Sequence, residues 1–199
     1  MRKTFSIVCL CAVLCSCAAS YKPITPTNLS YEQSSNNDSF NYSYRYDVLA
    51  EAGNKKYVKK AKKKGVQVIA VKIENNTGKT IYPRDDMEFY LGSQRVFPLD
   101  PQVTQQQIKQ PAPLYLLWGL LWVFINNCDN GDCSSTPLPV GFGIGLINLG
   151  IAGSANKQLL MELSTNNILD KQIADGETAY GLIGLSSFSG GNFKIQLKD

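Results

Sequence analysis

Histidine is missing from all 199 positions of the chain. Its absence removes the usual general base at neutral pH, the Ser-His and Cys-His nucleophile pairs, and the commonest zinc ligand. Paired carboxylates remain, but neighbours such as Asp85 and Asp86 point to opposite faces of a strand, so they read as a solvated turn rather than an acid/base dyad. The chain also lacks any apolar run of the ~20 residues that a membrane-spanning helix needs. Its two longest runs, residues 112–125 and 138–153, hold 14 and 16 residues, and Asn148 interrupts the second. Internal repeats are absent. These gaps argue against an enzyme, and no cofactor or metal is expected.

What is present begins with "MRKTFSIVCLCAVLCSCAAS". Arg2 and Lys3, an apolar stretch and then small residues form an export-signal pattern too short for a comfortable anchor. Leu14, Cys15 and Ser16 directly precede Cys17, whereas the other early cysteines follow bulky Val8, Leu10 and Leu14. The four residues 14–17 resemble the lipobox of bacterial lipoprotein precursors, with Cys15 an unusual choice for the middle position. The resemblance covers only these twenty residues. It implies cleavage after residue 16 and acylation of Cys17, hence a cell-envelope location. Ala18, rather than an acidic residue, follows the cysteine; by the same resemblance this favours the outer membrane, facing the periplasm, over the inner one. Buried acyl chains contribute about 0.8 kcal/mol per methylene, so several chains on one residue hold a protein firmly.

Export also organises the remaining cysteines. Of six, three fall in the signal and one is Cys17, leaving Cys128 and Cys133. In the oxidising compartment that the resemblance implies, a pair five positions apart is expected to be a disulfide. Asn130-Gly131 between them is a tight-turn dipeptide. A redox motif would have two intervening residues, and here there are four.

Residues 17–41 are polar, with Ser, Asn, Gln and prolines in no periodic order, and read as a flexible tether. Residues 42–199 read as the folded domain, and 44% apolar content suffices for a real core. "YSYRYDVL" is a first strand; "GVQVIAVKIENN" sets Ile69, Val71 and Ile73 on one face and Val66, Val68 and Ala70 on the other. Met87, Phe89 and Leu91 alternate in "DMEFYLG", "SQRVFPLD" returns, and "DGETAYGLIGL" and "GNFKIQLKD" end the chain around the turn-rich "SSFSGG". Short strands between turns predict a mainly β fold, an antiparallel immunoglobulin-like sandwich. The arrangement is similar to the small β-sandwich domains of secreted bacterial lipoproteins, a likeness of fold that carries no site with it. Residues 101–170 read as a long, partly helical insertion, with Ser154 as N-cap of a helix bearing Leu159, Leu160 and Leu163.

Two features are candidates for contact. Lys55, Lys56, Lys59, Lys60, Lys62, Lys63 and Lys64 crowd one short helix that Asn54 would cap and Gly65 would end, with Tyr57, Val58 and Ala61 on its apolar side. Such a run is a solvated face or a contact for anionic headgroups; nucleic acid does not suit an exported lipoprotein. The second feature is the apolar hairpin itself. Trp118 and Trp122, four apart, would share a helical face at a lipid boundary, with Leu121, Phe124, Phe142, Ile144 and Leu146 as further contacts. Gly141 and Gly145 have the spacing that lets two helices approach closely, while "GFGIG" lacks the strand–turn–helix setting of a nucleotide fingerprint. The hairpin would lie shallowly in a bilayer, or against an envelope partner, or on its own sandwich. The function expected is a structural or adaptor role at the membrane; the alternative is a periplasmic binding module for a lipid or other apolar ligand.

Overall fold

The structure is a computed structural model and describes residues 17–33, 39–129, 132–186 and 192–198. The signal at 1–16 with Leu14, Cys15 and Ser16, the Asn130-Gly131 turn, the side chain of Cys128 and most of "SSFSGG" therefore lie outside the described residues. The strands are β1 (Glu32–Gln33), β2 (Phe40–Arg45), β3 (Val66–Asn75), β4 (Met87–Leu91), β5 (Gln94–Val96), β6 (Pro98–Leu99), β7 (Val123–Asp129), β8 (Asp132–Leu138), β9 (Thr178–Ser186) and β10 (Phe193–Leu197). The helices are α1 (Val48–Glu51), α2 (Lys55–Lys64), α3 (Pro83–Asp86), α4 (Pro101–Ile108) and α5 (Val140–Thr165).

The chain divides into two compact units: Tyr21–Lys109 with Asn156–Asp199, and Gln110–Ala155 with the segment before Tyr21. The first, larger unit holds a five-stranded antiparallel sheet in the order β1-β2-β3-β9-β6 and a three-stranded one in the order β10-β4-β5. Alternation in the sequence dictates the core between them. Tyr42, Tyr44, Ile69, Val71 and Ile73 from one sheet meet Met87, Phe89, Leu91, Phe193 and Ile195 from the other. Phe193 closes it, with its ring centroid 5.5 Å from that of Tyr44 and 6.1 Å from that of Phe89. The last two strands do not pair: β9 lies beside β3 and β10 beside β4.

The fold class is mixed α/β rather than mainly β. The reason lies on the far side of β3, where Val66, Val68 and Ala70 are also buried and α2 and α4 pack on the strand. A strand buried on both faces needs a layer on each. Tyr57 and Ala61 of α2 and Ile108 of α4 are buried apolar groups of those helices, and Leu159 and Leu163 of α5 are buried as well. Gly65 ends α2 in the left-handed conformation (φ 63°), its N–H returning to carbonyls of the last turn. Asn54 precedes the helix but does not cap it with its side chain, which exchanges hydrogen bonds with the Lys22 backbone at 2.9 and 2.8 Å.

The segment expected as a tether is folded where it is described. Tyr21, Ile24 and Pro26 are buried, Ile24 N–H donates to Glu162 Oε1 at 2.5 Å, and β1 pairs with β2. Glu162 sits 138 positions from Ile24, so no local pattern announces that contact. Ser154 is likewise not an N-cap, because α5 starts fourteen residues earlier at Val140 and runs through it.

Candidate functional site

The smaller unit is built from a seam of small residues. On α5, Gly141, Gly145, Asn148 and Ala152 recur every three or four positions and are buried. The apolar run before it forms a 3-10 helix over Ala112–Leu120. Only glycine admits their approach: a Cβ on Gly141 would stand 1.8 Å from Trp118 O and 2.7 Å from Leu121 Cβ, and one on Gly145 2.8 Å from Tyr115 O. Gly141 N–H donates to Leu121 O at 3.1 Å. The close approach expected of this glycine pair is thus made to the chain's own preceding segment.

The glycines are inward, so the large apolar side chains go outward. A 3-10 helix repeats every three residues and eclipses i with i+3, which aligns Leu114, Leu117 and Leu120 as a ridge, 59%, 62% and 76% exposed. Tyr115, one position along, is the buried side of the same helix. From Leu121 the backbone is extended, so Trp118 and Trp122 do not share a helical face. Trp118 is half-buried and Trp122 exposed. Of the other expected contacts, Leu121, Phe124, Phe142 and Leu146 are exposed and Ile144 is half-buried. Leu114, Leu117, Leu120 and Ile147 were not singled out from sequence, and the three-residue spacing of the leucines is the signal that marks them.

β7 and β8 form a two-stranded ribbon in which Val123, Phe124 and Ile125 are all exposed, so neither face is covered. Such a ribbon alone is marginal in water. Its ladder sets Cys128 directly across from Cys133 and ends at Asp129–Asp132.

The chain just after Cys17 is tied into this same unit. Ala18 N–H donates to Asn148 Oδ1 at 2.6 Å, and Asn148 Nδ2 donates to Ile144 O at 2.9 Å. Gln110 brackets Ala19, accepting from its N–H at 3.0 Å and donating to its carbonyl at 2.6 Å. The lone polar interruption of the second apolar run therefore holds the residue next to Cys17, which is itself half-buried.

Elsewhere, Lys55, Lys59, Lys62, Lys63 and Lys64 are exposed on α2, while Lys56 and Lys60 are half-buried. Asp85 and Asp86 sit in the short helix α3, where Asp86 Oδ2 accepts from Tyr82 N–H at 2.7 Å. Arg84, bonded to Asp170, holds that carboxyl below the usual carboxylate range. Among the described residues no three His, Cys, Asp or Glu side chains gather as metal ligands, and no helix is long and apolar enough to cross a membrane. No protein-family model matches the chain, and comparison with curated proteins and with solved structures finds no match.

Proposed function

We propose that this is a lipid-anchored cell-envelope protein, acylated at Cys17 and facing the periplasm from the outer membrane. In this reading its apolar unit lies in the headgroup and upper acyl region, and its larger unit serves a structural or adaptor role at that surface. One observation carries the proposal: Ala18 and Ala19 are hydrogen-bonded into the very unit that exposes Leu117, Leu120, Phe124 and Phe142. An acyl group on Cys17 then leaves from the same unit that bears these apolar side chains, and in this reading one membrane covers both. A contiguous exposed apolar surface on a folded unit calls for such a cover.

Further features support the reading. A Cys128–Cys133 disulfide would pin the otherwise marginal ribbon through the register that already pairs them. Lysines of α2 would meet anionic headgroups, each contributing about 1 kcal/mol close to the surface. Two facing antiparallel sheets with one shared core favour an immunoglobulin-like sandwich, elaborated by helices, as the scaffold.

Hydrophobic photolabelling tests the placement. Membranes carrying the acylated protein and a phospholipid with a photoreactive acyl chain should, after irradiation, yield label in peptides from 112–125 and 140–151. Label confined to the peptide bearing Cys17 would mean that the lipid anchors the chain and the apolar unit does not enter.

A further inference from the structure

A second feature, wholly inside the larger unit, stands apart from the membrane reading. A cleft of about 750 Å³ opens between the segment Tyr21–Thr27, the C-terminal turns of α5 and the start of β9. Met161 and Tyr180 supply apolar lining, and Met161 is 62% exposed. At the cleft lie two polar groups that folding has left poorly served. Glu162 is 9% exposed, and its side chain accepts one backbone hydrogen bond, from Ile24. Among the described residues no lysine or arginine pairs with it. Tyr21, 5% exposed, lies beside that carboxylate, yet its hydroxyl makes no hydrogen bond of normal geometry.

Lys171, the one cation of the lining, donates from its ammonium to Tyr180 O at 2.6 Å and does not pair with Glu162. Burial pushes the Glu162 carboxyl above the ordinary range; interaction with the Tyr21 hydroxyl and the Ile24 N–H opposes the rise, but no positive charge does. The same burial, with the Glu162 charge next to it, pushes the Tyr21 phenol upward. A buried carboxylate is costly unless a cation and hydrogen bonds compensate it. A buried hydroxyl whose one partner is badly placed for a hydrogen bond is similarly unfavourable. One group satisfies both: an ammonium, whose N–H bonds can reach a carboxylate and a phenolic oxygen together.

We propose that this cleft binds a small free primary amine, its ammonium at Glu162 and Tyr21 and its apolar stem along Met161 and Tyr180. The full acylated protein in nonionic detergent is titrated calorimetrically at pH 7.5 with 1,5-diaminopentane and, separately, with 1,5-pentanediol, which has the same stem and no charge. The diamine is expected to bind at least tenfold more tightly than the diol. Glu162→Gln keeps an oxygen for Ile24 N–H and should lose at least tenfold in diamine affinity.

Stability separates binding from folding in that variant. A carboxyl whose folded value is raised favours the fold below the unfolded value and loses that contribution as pH rises through the folded one. Glu162→Gln should therefore melt higher than the parent at pH 7.5 and equal it near pH 4. Should the variant misfold, Met161→Lys, at an exposed position, puts a cation at the mouth and should weaken the diamine by at least tenfold. Equal affinity for diamine and diol, no binding of either, or full diamine affinity in Glu162→Gln or Met161→Lys would overturn the proposal.

Discussion

Gly141→Ala and Gly143→Ala are expected to change stability in opposite directions, although they lie two residues apart on one helix. At Gly141 the added Cβ falls 1.8 Å from a carbonyl oxygen and 2.7 Å from a side-chain carbon, so the 3-10 segment must move away. Overpacking of this kind costs about 1–3 kcal/mol, and more where backbone is struck. At Gly143 a Cβ meets nothing within 4 Å, and alanine in place of glycine in a helix contributes roughly 0.8–1 kcal/mol. Both tryptophans of the chain, Trp118 and Trp122, lie in the smaller unit, so their fluorescence reads that unit alone. Denaturant titration followed at the tryptophans should show a midpoint lowered by the first substitution and raised by the second. Matching shifts for the two would mean that the seam is not packed as described.

Serine at Leu114, Leu117 and Leu120 together should release the protein from lipid once its acyl group is absent. Fully burying a leucine contributes about 1.5–3 kcal/mol, and the exposed part of each leucine leaves about 1 kcal/mol still to be gained. Three give about 3 kcal/mol, roughly a hundredfold in partition. Flotation of a chain beginning at Ala18 with neutral vesicles reads this directly. The loss should not depend on salt, because it is apolar. Any contribution of the α2 lysines, by contrast, needs anionic lipid and fades within a Debye length of about 8 Å at physiological ionic strength. Unchanged flotation of the triple variant would remove the leucine ridge from the interface.

The sheets were legible in the sequence because alternation has a period of two and little else imitates it. Met87, Phe89 and Leu91 face inward as their spacing requires, and so do Phe193 and Ile195. The helices over the other side of β3 were less visible. Val66, Val68 and Ala70 showed that something covers that side, and the apolar side of α2 with Tyr57 and Ala61 was readable, but nothing in the sequence joined it to the distant Ile108 as one layer. The start of α5 was hidden for another reason. A helix with glycines on its packed side and apolar side chains on its exposed side has no amphipathic stripe, so the first recognisable signal came at Ser154. The 3-10 helix defeated a four-residue reading of Trp118 and Trp122. The role of Asn148 was also invisible, since its partner Ala18 is 130 positions away; only its oddity in an apolar run marked it.

Alkaline carbonate extraction of a form exported by a non-lipoprotein signal and starting at Ala18 tests the membrane role of the apolar unit most directly. Simple replacement of Cys17 would not serve, because an uncleaved signal can itself hold a chain to the membrane. The acyl-free protein is expected to remain with the membrane pellet, held by Leu114, Leu117, Leu120, Phe124 and their neighbours. Its release into the supernatant as a stable monomer would contradict that role, leaving the apolar surface to a function outside the bilayer.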